Sequence, residues 1–203
     1  MKSTQKLSQM SRSFLTLITL SLLFSISTIA NNYNSNLPPS LKKIKKLDFF
    51  VDKQEVTYTD WWVVSDMAKF TQSIEIENSF NIDTNMFKTH YSESFKEGSF
   101  RETLIGRGND FAIVGISPND IDKFCKVRSE AVFLKYGKNI EFSLLDWNTY
   151  LYLKVNDDKF NISQNAPELI TKDGEYHIVF ADGTLKKYEE GDVFTFRNIA
   201  RYK

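Results

Sequence analysis

With a single cysteine, Cys125, the chain can form no internal disulfide, so its fold must be held by packing. The surrounding residues predict a buried thiol. Ser117-Pro118-Asn119-Asp120 reads as a helix start, with Ser117 as N-cap and Pro118 at the first helical position. That helix places Ile121, Phe124 and Cys125 on one apolar face. Only two histidines are present, His90 and His177. There is no pair of cysteines at metal spacing and no His-Glu-x-x-His helix, so no zinc signature exists.

Other catalytic signatures are also missing. Gly115-Ile116-Ser117-Pro118-Asn119 begins like a nucleophile elbow, but Asn119 stands where the second glycine is needed. Gly106-Arg107-Gly108 is not a dinucleotide fingerprint, because Phe111 occupies the third glycine position. The acidic turns at Asp157-Asp158, Asp173-Gly174-Glu175 and Asp182-Gly183 lack the alternating acids of a calcium loop and read as hairpin chemistry. The one cysteine-hydrolase option is Cys125 with His177. It needs an exposed thiol of lowered pKa, which an apolar helix face does not offer. No metal and no cofactor are expected, and a non-enzymatic role is favoured over a small hydrolase.

The start of the chain carries an export pattern. Lys2, Lys6 and Arg12 make a basic, acid-free opening, and residues 14–30 run apolar to Thr28-Ile29-Ala30. The run holds six Ser/Thr residues and is followed by the polar stretch 31–36, which favours a cleaved signal over a membrane anchor. Residues 1–30 are therefore expected to be a signal peptide, residues 31–40 a flexible linker, and residues 41–203 a single globular domain, secreted or periplasmic. Three of the 26 basic residues and none of the 26 acids fall in the signal, which leaves 23 against 26, a net charge of about −3. A general nucleic-acid binder needs a basic surface, so nucleic acid is excluded as a partner. Stable membrane insertion after cleavage is not expected. Asn161-Ile162-Ser163 fits a glycosylation acceptor, of use only on a eukaryotic secretory route.

Along the domain, Leu41, Ile44 and Leu47 between paired lysines suggest a short amphipathic helical element. Strands are expected over 49–51, 56–64, 73–80, 100–105, 111–116, 140–144, 150–155 and 176–199, the last broken by the Asp182-Gly183 and Glu190-Gly191-Asp192 turns. Asp83 should cap a helix with Phe87, Tyr91 and Phe95 at four-residue spacing, running to Gly98. Residues 60–70 are open between strand and helix, with Asp60 as the cap in the second case. The expected class is α+β: a mainly antiparallel, meandering sheet with two or so helices.

The 29 aromatic residues are the remaining feature. If Trp61, Trp62, Tyr150 and Tyr152 lie on strands, alternate side chains must face away from the core. These four are the candidate binding surface, a β-face suited to anchoring another protein or to stacking a polysaccharide. The competing expectation is an aromatic-rich core covered by helices. The functional expectation is an exported, non-enzymatic interaction protein, such as an inhibitor or neutralising partner of another protein. A glycan-binding module and a Cys125/His177 hydrolase are the alternatives.

Overall fold

Two four-stranded sheets meet at Arg197, the one residue between their last two strands. The computed structural model describes residues 38, 40–44, 48–68, 80–95, 100–157, 160 and 166–203. The export segment, most of the expected linker, the Asn161 acceptor and all but Phe80 of the strand expected over 73–80 lie outside the described residues. The first sheet has the order β1 (Leu41–Ile44), β2 (Phe49–Asp52), β8 (Asn198–Tyr202), β3 (Ile140–Leu144), with every pair antiparallel. The second has the order β6 (Leu185–Lys187), β5 (Glu175–Val179), β4 (Glu168–Lys172), β7 (Thr195–Phe196). Its pairs are antiparallel except β4 with β7. Backbone bonding continues around the corner: Leu145 N–H donates to the Arg197 carbonyl (3.2 Å) and Thr171 N–H to the Leu145 carbonyl (3.0 Å).

Five helices complete the described structure: α1 (Tyr58–Ala68), α2 (Thr84–His90), α3 (Phe100–Leu104), α4 (Pro118–Tyr136) and α5 (Trp147–Asn156). The protein is thus mixed α and β with antiparallel sheets, and carries five helices rather than two or so. Strand alternation divides the core into two clusters. Phe50, Phe142 and Leu169 face the side that holds Trp61 of α1 and Phe124 of α4. Phe49, Val51 and Ile170 face the side that holds Tyr150 and Leu153 of α5. Covering on both faces explains why every residue of β2 is buried.

Local chemistry explains the helix starts. Ser117 accepts from Asp120 N–H (3.2 Å) with Pro118 at the first position, and α4 ends at Gly137, whose φ of 63° suits a glycine. Asp83 accepts from the Asn85 and Met86 amides and starts α2. That helix stops at His90 and is followed by a 3-10 turn at Ser92–Phe95, so the expected long helix toward Gly98 is shorter. Phe87, Tyr91, Phe95, Phe100 and Phe111 nevertheless form one aromatic group, with Phe95 stacked on Phe100 at 5.7 Å and Phe87 edge-on to it at 5.4 Å.

Several expected elements are different. Leu41–Ile44 is a strand, because pairing with β2 satisfies its backbone where one and a half helical turns could not sustain themselves. Of the strand expected over 100–105, residues 100–104 form α3 instead, since Phe100 is drawn into the aromatic group and packing overrides β-propensity. Residues 111–116 join no named strand: they hold one bridge, Ala112 with Thr57, and turn at Gly115, whose φ is 74°. Residues 150–155 are helical, not a strand. Asp146 accepts from the Thr149 amide (2.9 Å) and hydroxyl (2.7 Å), and Tyr150 and Leu153 are buried at helical spacing. For residues 56–64 the helix alternative holds from Tyr58 onward, with Thr57 rather than Asp60 preceding its first turn.

This fold assigns neighbouring tryptophans opposite surroundings. Trp61 stacks on Phe124 at 5.1 Å and meets Phe80 and Phe196 edge-on, whereas Trp62 is 58% exposed. Trp61→Ala should lower stability in urea unfolding by about 3–5 kcal/mol, and Trp62→Ala should change it by less than about 0.5 kcal/mol. Equal losses would contradict this placement.

Candidate functional site

The start of α1 is fixed by a reciprocal cap. Asp60 N–H donates to the Thr57 hydroxyl (3.1 Å), and the Asp60 carboxylate accepts from Thr57 N–H (3.0 Å) and from the Thr57 hydroxyl (2.7 Å). The segment before it is stitched on both sides. Val56 N–H donates to the Phe196 carbonyl (2.9 Å), and its own carbonyl accepts from Ile113 N–H (2.8 Å). With the helix phase thus set, Trp61 and Val64 point into the core, and Trp62 and Val63 point outward.

A cleft of about 430 Å³ opens at this end of α1, walled by Ser40, Asp52, Glu55, Asp60, Asn109 and Arg128. Arg128 of α4 forks both guanidinium nitrogens onto the two Asp52 oxygens, each at 2.7 Å. It also donates to Asn198 Oδ1 (2.9 Å) and Ser40 Oγ (3.2 Å), and its guanidinium lies 4.4 Å from the Phe142 ring centre. Burial works against the Arg128 charge, but Asp52 outweighs it, so its pKa stands above the ordinary value. Asn198 closes the network: its N–H donates to Asp52 (3.0 Å) and its side-chain amide to Cys125 Sγ (2.9 Å). Beside it, Arg197 donates to Glu55 at 2.8 Å. Asp52 and Glu55 of the cleft wall are each paired with an arginine, and the Asp60 carboxylate is held by Thr57.

Sequence reasoning missed Arg128, Asp52 and Glu55, and read Asp60 only as a possible helix cap. One signal pointed to Arg128. It falls on the stripe Ile121, Phe124, Cys125, Arg128, Val132, and a charge inside an apolar stripe implies a buried partner.

The four aromatic residues expected to share a β-face do not share one. They lie on two helices, and Trp61 and Tyr150 belong to core clusters on opposite sides of the sheet. Tyr150 stacks on Trp147 at 5.2 Å and is fully buried. Tyr152 is half-buried against the second cluster. Of the four, Trp62 alone is broadly exposed.

Cys125 and His177 are not brought together either. Tyr176 of β5 reaches toward α4 and donates to Asp122 at 2.9 Å; His177, the next residue, faces the opposite side of the sheet. The thiol is buried, its partner is Asn198, and burial pushes its pKa up, away from the thiolate a nucleophile needs. Ser117 is engaged as the α4 cap. Among the described residues, no three His, Cys, Asp or Glu side chains are grouped to hold a metal ion. No family model, curated protein or solved structure matches this chain.

Native protein treated with iodoacetamide should therefore leave Cys125 unmodified, with one label per chain gained only on unfolding, as read by intact mass. Rapid labelling of the folded protein would contradict a sealed thiol.

Proposed function

We propose that this protein acts outside the cytoplasm as a non-enzymatic binding module that docks another protein, with Trp62 as its anchor. The observation that carries this reading is the outward face of α1. Trp62 and Val63 are 58% and 42% exposed side by side, on a helix whose start is fixed by the Thr57–Asp60 cap. Exposed tryptophan is the residue type most often found at the energetic centre of protein interfaces, and a preorganised surface lowers the entropic cost of docking.

A protein partner fits this face better than a polysaccharide. The ring contacts of α1 belong to Tyr58 and Trp61, not to Trp62, so Trp62 has no second ring from α1 with which to form a stacking platform. Its neighbour is the aliphatic Val63, which suits insertion into an apolar pocket. Among the described residues no helix is long and apolar enough to cross a membrane. The export pattern of residues 1–30 supports action beyond the cytoplasmic membrane.

C-terminally tagged protein recovered from its own host, from envelope and culture fluid, tests both parts. The expected result is a mass corresponding to cleavage near Ala30, with one protein co-purifying at fixed stoichiometry and lost on Trp62→Ala while the variant keeps its unfolding midpoint. A partner unaffected by Trp62→Ala would overturn the anchor. Absence of a protein partner, with tryptophan fluorescence shifting on added soluble polysaccharide, would replace protein docking by glycan binding.

A further inference from the structure

Glu168 opens β4 in register with Val179 of β5 and Thr195 of β7, and is wholly buried. Neither of its carboxylate oxygens has a hydrogen-bond partner. Its nearest cation is Arg197, whose Nε stands 3.7 Å away while its Nη2 donates to Glu55 at 2.8 Å. Arg197 is the residue on which the two sheets turn, and its carbonyl holds Leu145. The other charged groups in reach are Glu55 and Asp52, both from the segment that ends β2 and walls the cleft. Asp52 is already taken by Arg128 and by the Asn198 amide. Val179 and Thr195, opposite Glu168 on β5 and β7, are not titratable.

Counting charges at this junction gives three carboxylates (Asp52, Glu55, Glu168) against two guanidiniums (Arg128, Arg197). Glu168 has the least compensation, because it is the most buried, lacks hydrogen bonds and shares its arginine with a closer competitor.

We propose that Glu168 is a proton-held latch between the two sheets: neutral, it leaves Arg197 to Glu55 and the junction closed; ionised, it competes for Arg197 and loosens the junction beneath the cleft. This does not depend on the docking reading. Burial raises the Glu168 carboxyl, Arg197 partly offsets this, and Glu55 and Asp52 add to the rise, which together bring it to about 7. The folded value therefore lies above the ordinary 4.5. The stabilising contribution is fully present below the unfolded value and is lost as pH rises through the folded one.

Urea unfolding of the full protein followed from about pH 5 to about pH 8 tests the latch. The wild-type unfolding constant should rise on the order of a hundredfold across that window relative to Glu168→Gln, which carries a neutral isostere at every pH. The histidines titrate in both proteins, so the difference between the two profiles isolates Glu168. Glu55→Gln should move the Glu168 titration to lower pH, because it removes a competitor for Arg197 and a neighbouring negative charge. Parallel profiles for wild type and Glu168→Gln, or no movement with Glu55→Gln, would overturn the proposal. If Glu168→Gln does not fold, infrared difference spectra of the wild type serve instead. A buried protonated-carboxyl band present at the acidic end and absent at the basic end is expected, and its absence throughout would refute the latch.

Discussion

The fork between Arg128 and Asp52 is the contact on which the rest of the structure depends. It joins the long helix α4 to the central strand β2, and through Asn198 it reaches β8 in the same step. Removing two charges from water is expensive, and the interior must return that cost through geometry. Here both forks are short, the remaining donors of Arg128 reach Asn198 and Ser40, and the guanidinium face rests on Phe142. Three further features follow from this one arrangement. Asn198 is positioned to cover the Cys125 thiol, Arg197 is placed at the turn between sheets, and the cleft receives Asp52 and Arg128 already bound to each other.

That economy of the interior leaves function to the outside. Most of the chemistry the sequence offers is consumed by the fold: Cys125 by its amide partner, Ser117 by the α4 cap, Tyr150 by the second core cluster, and Phe87 through Phe111 by one another. Trp62 is not consumed. The capping pair Thr57 and Asp60 is what makes the difference between Trp61 and Trp62. It sets the phase of α1, and adjacent helical residues are turned by about 100°. A strand there would also have separated the two indoles, but would have left the exposed one on a sheet face rather than on the outer face of a helix.

What was legible in the sequence is what is encoded locally. The Ser117-Pro118 start of α4, the Asp83 cap, the alternation of Ile140, Phe142 and Leu144, and the Asp182-Gly183 hairpin each carry their own hydrogen-bond logic within a few residues. Residues 150–155 misled because Tyr150, Leu151, Tyr152 and Leu153 satisfy period two and period 3.6 together; the deciding signal was Asp146 with Thr149, just upstream. Phe100 misled because its environment comes from Phe87 and Phe95 rather than from its own neighbours. The buried charges were least legible. Asp52 and Arg128 are 76 positions apart, Glu55 and Arg197 are 142 apart, and nothing near any of them announces its partner. Buried Asp, Glu and Arg are rare enough that each of the others reads, singly, as solvated surface, and only the apolar stripe around Arg128 marks a buried charge.

A double-mutant cycle on Asp52 and Arg128 tests the central claim most directly. Asp52→Ala and Arg128→Ala should each lower stability by about 3–5 kcal/mol, because each leaves the other charge buried and uncompensated. The double variant should lose less than the two together, by at least about 1 kcal/mol, because removing both removes the orphaned charge as well. Losses that add to within about 0.5 kcal/mol would show that the two side chains act independently and that the fork does not hold the helix to the sheet.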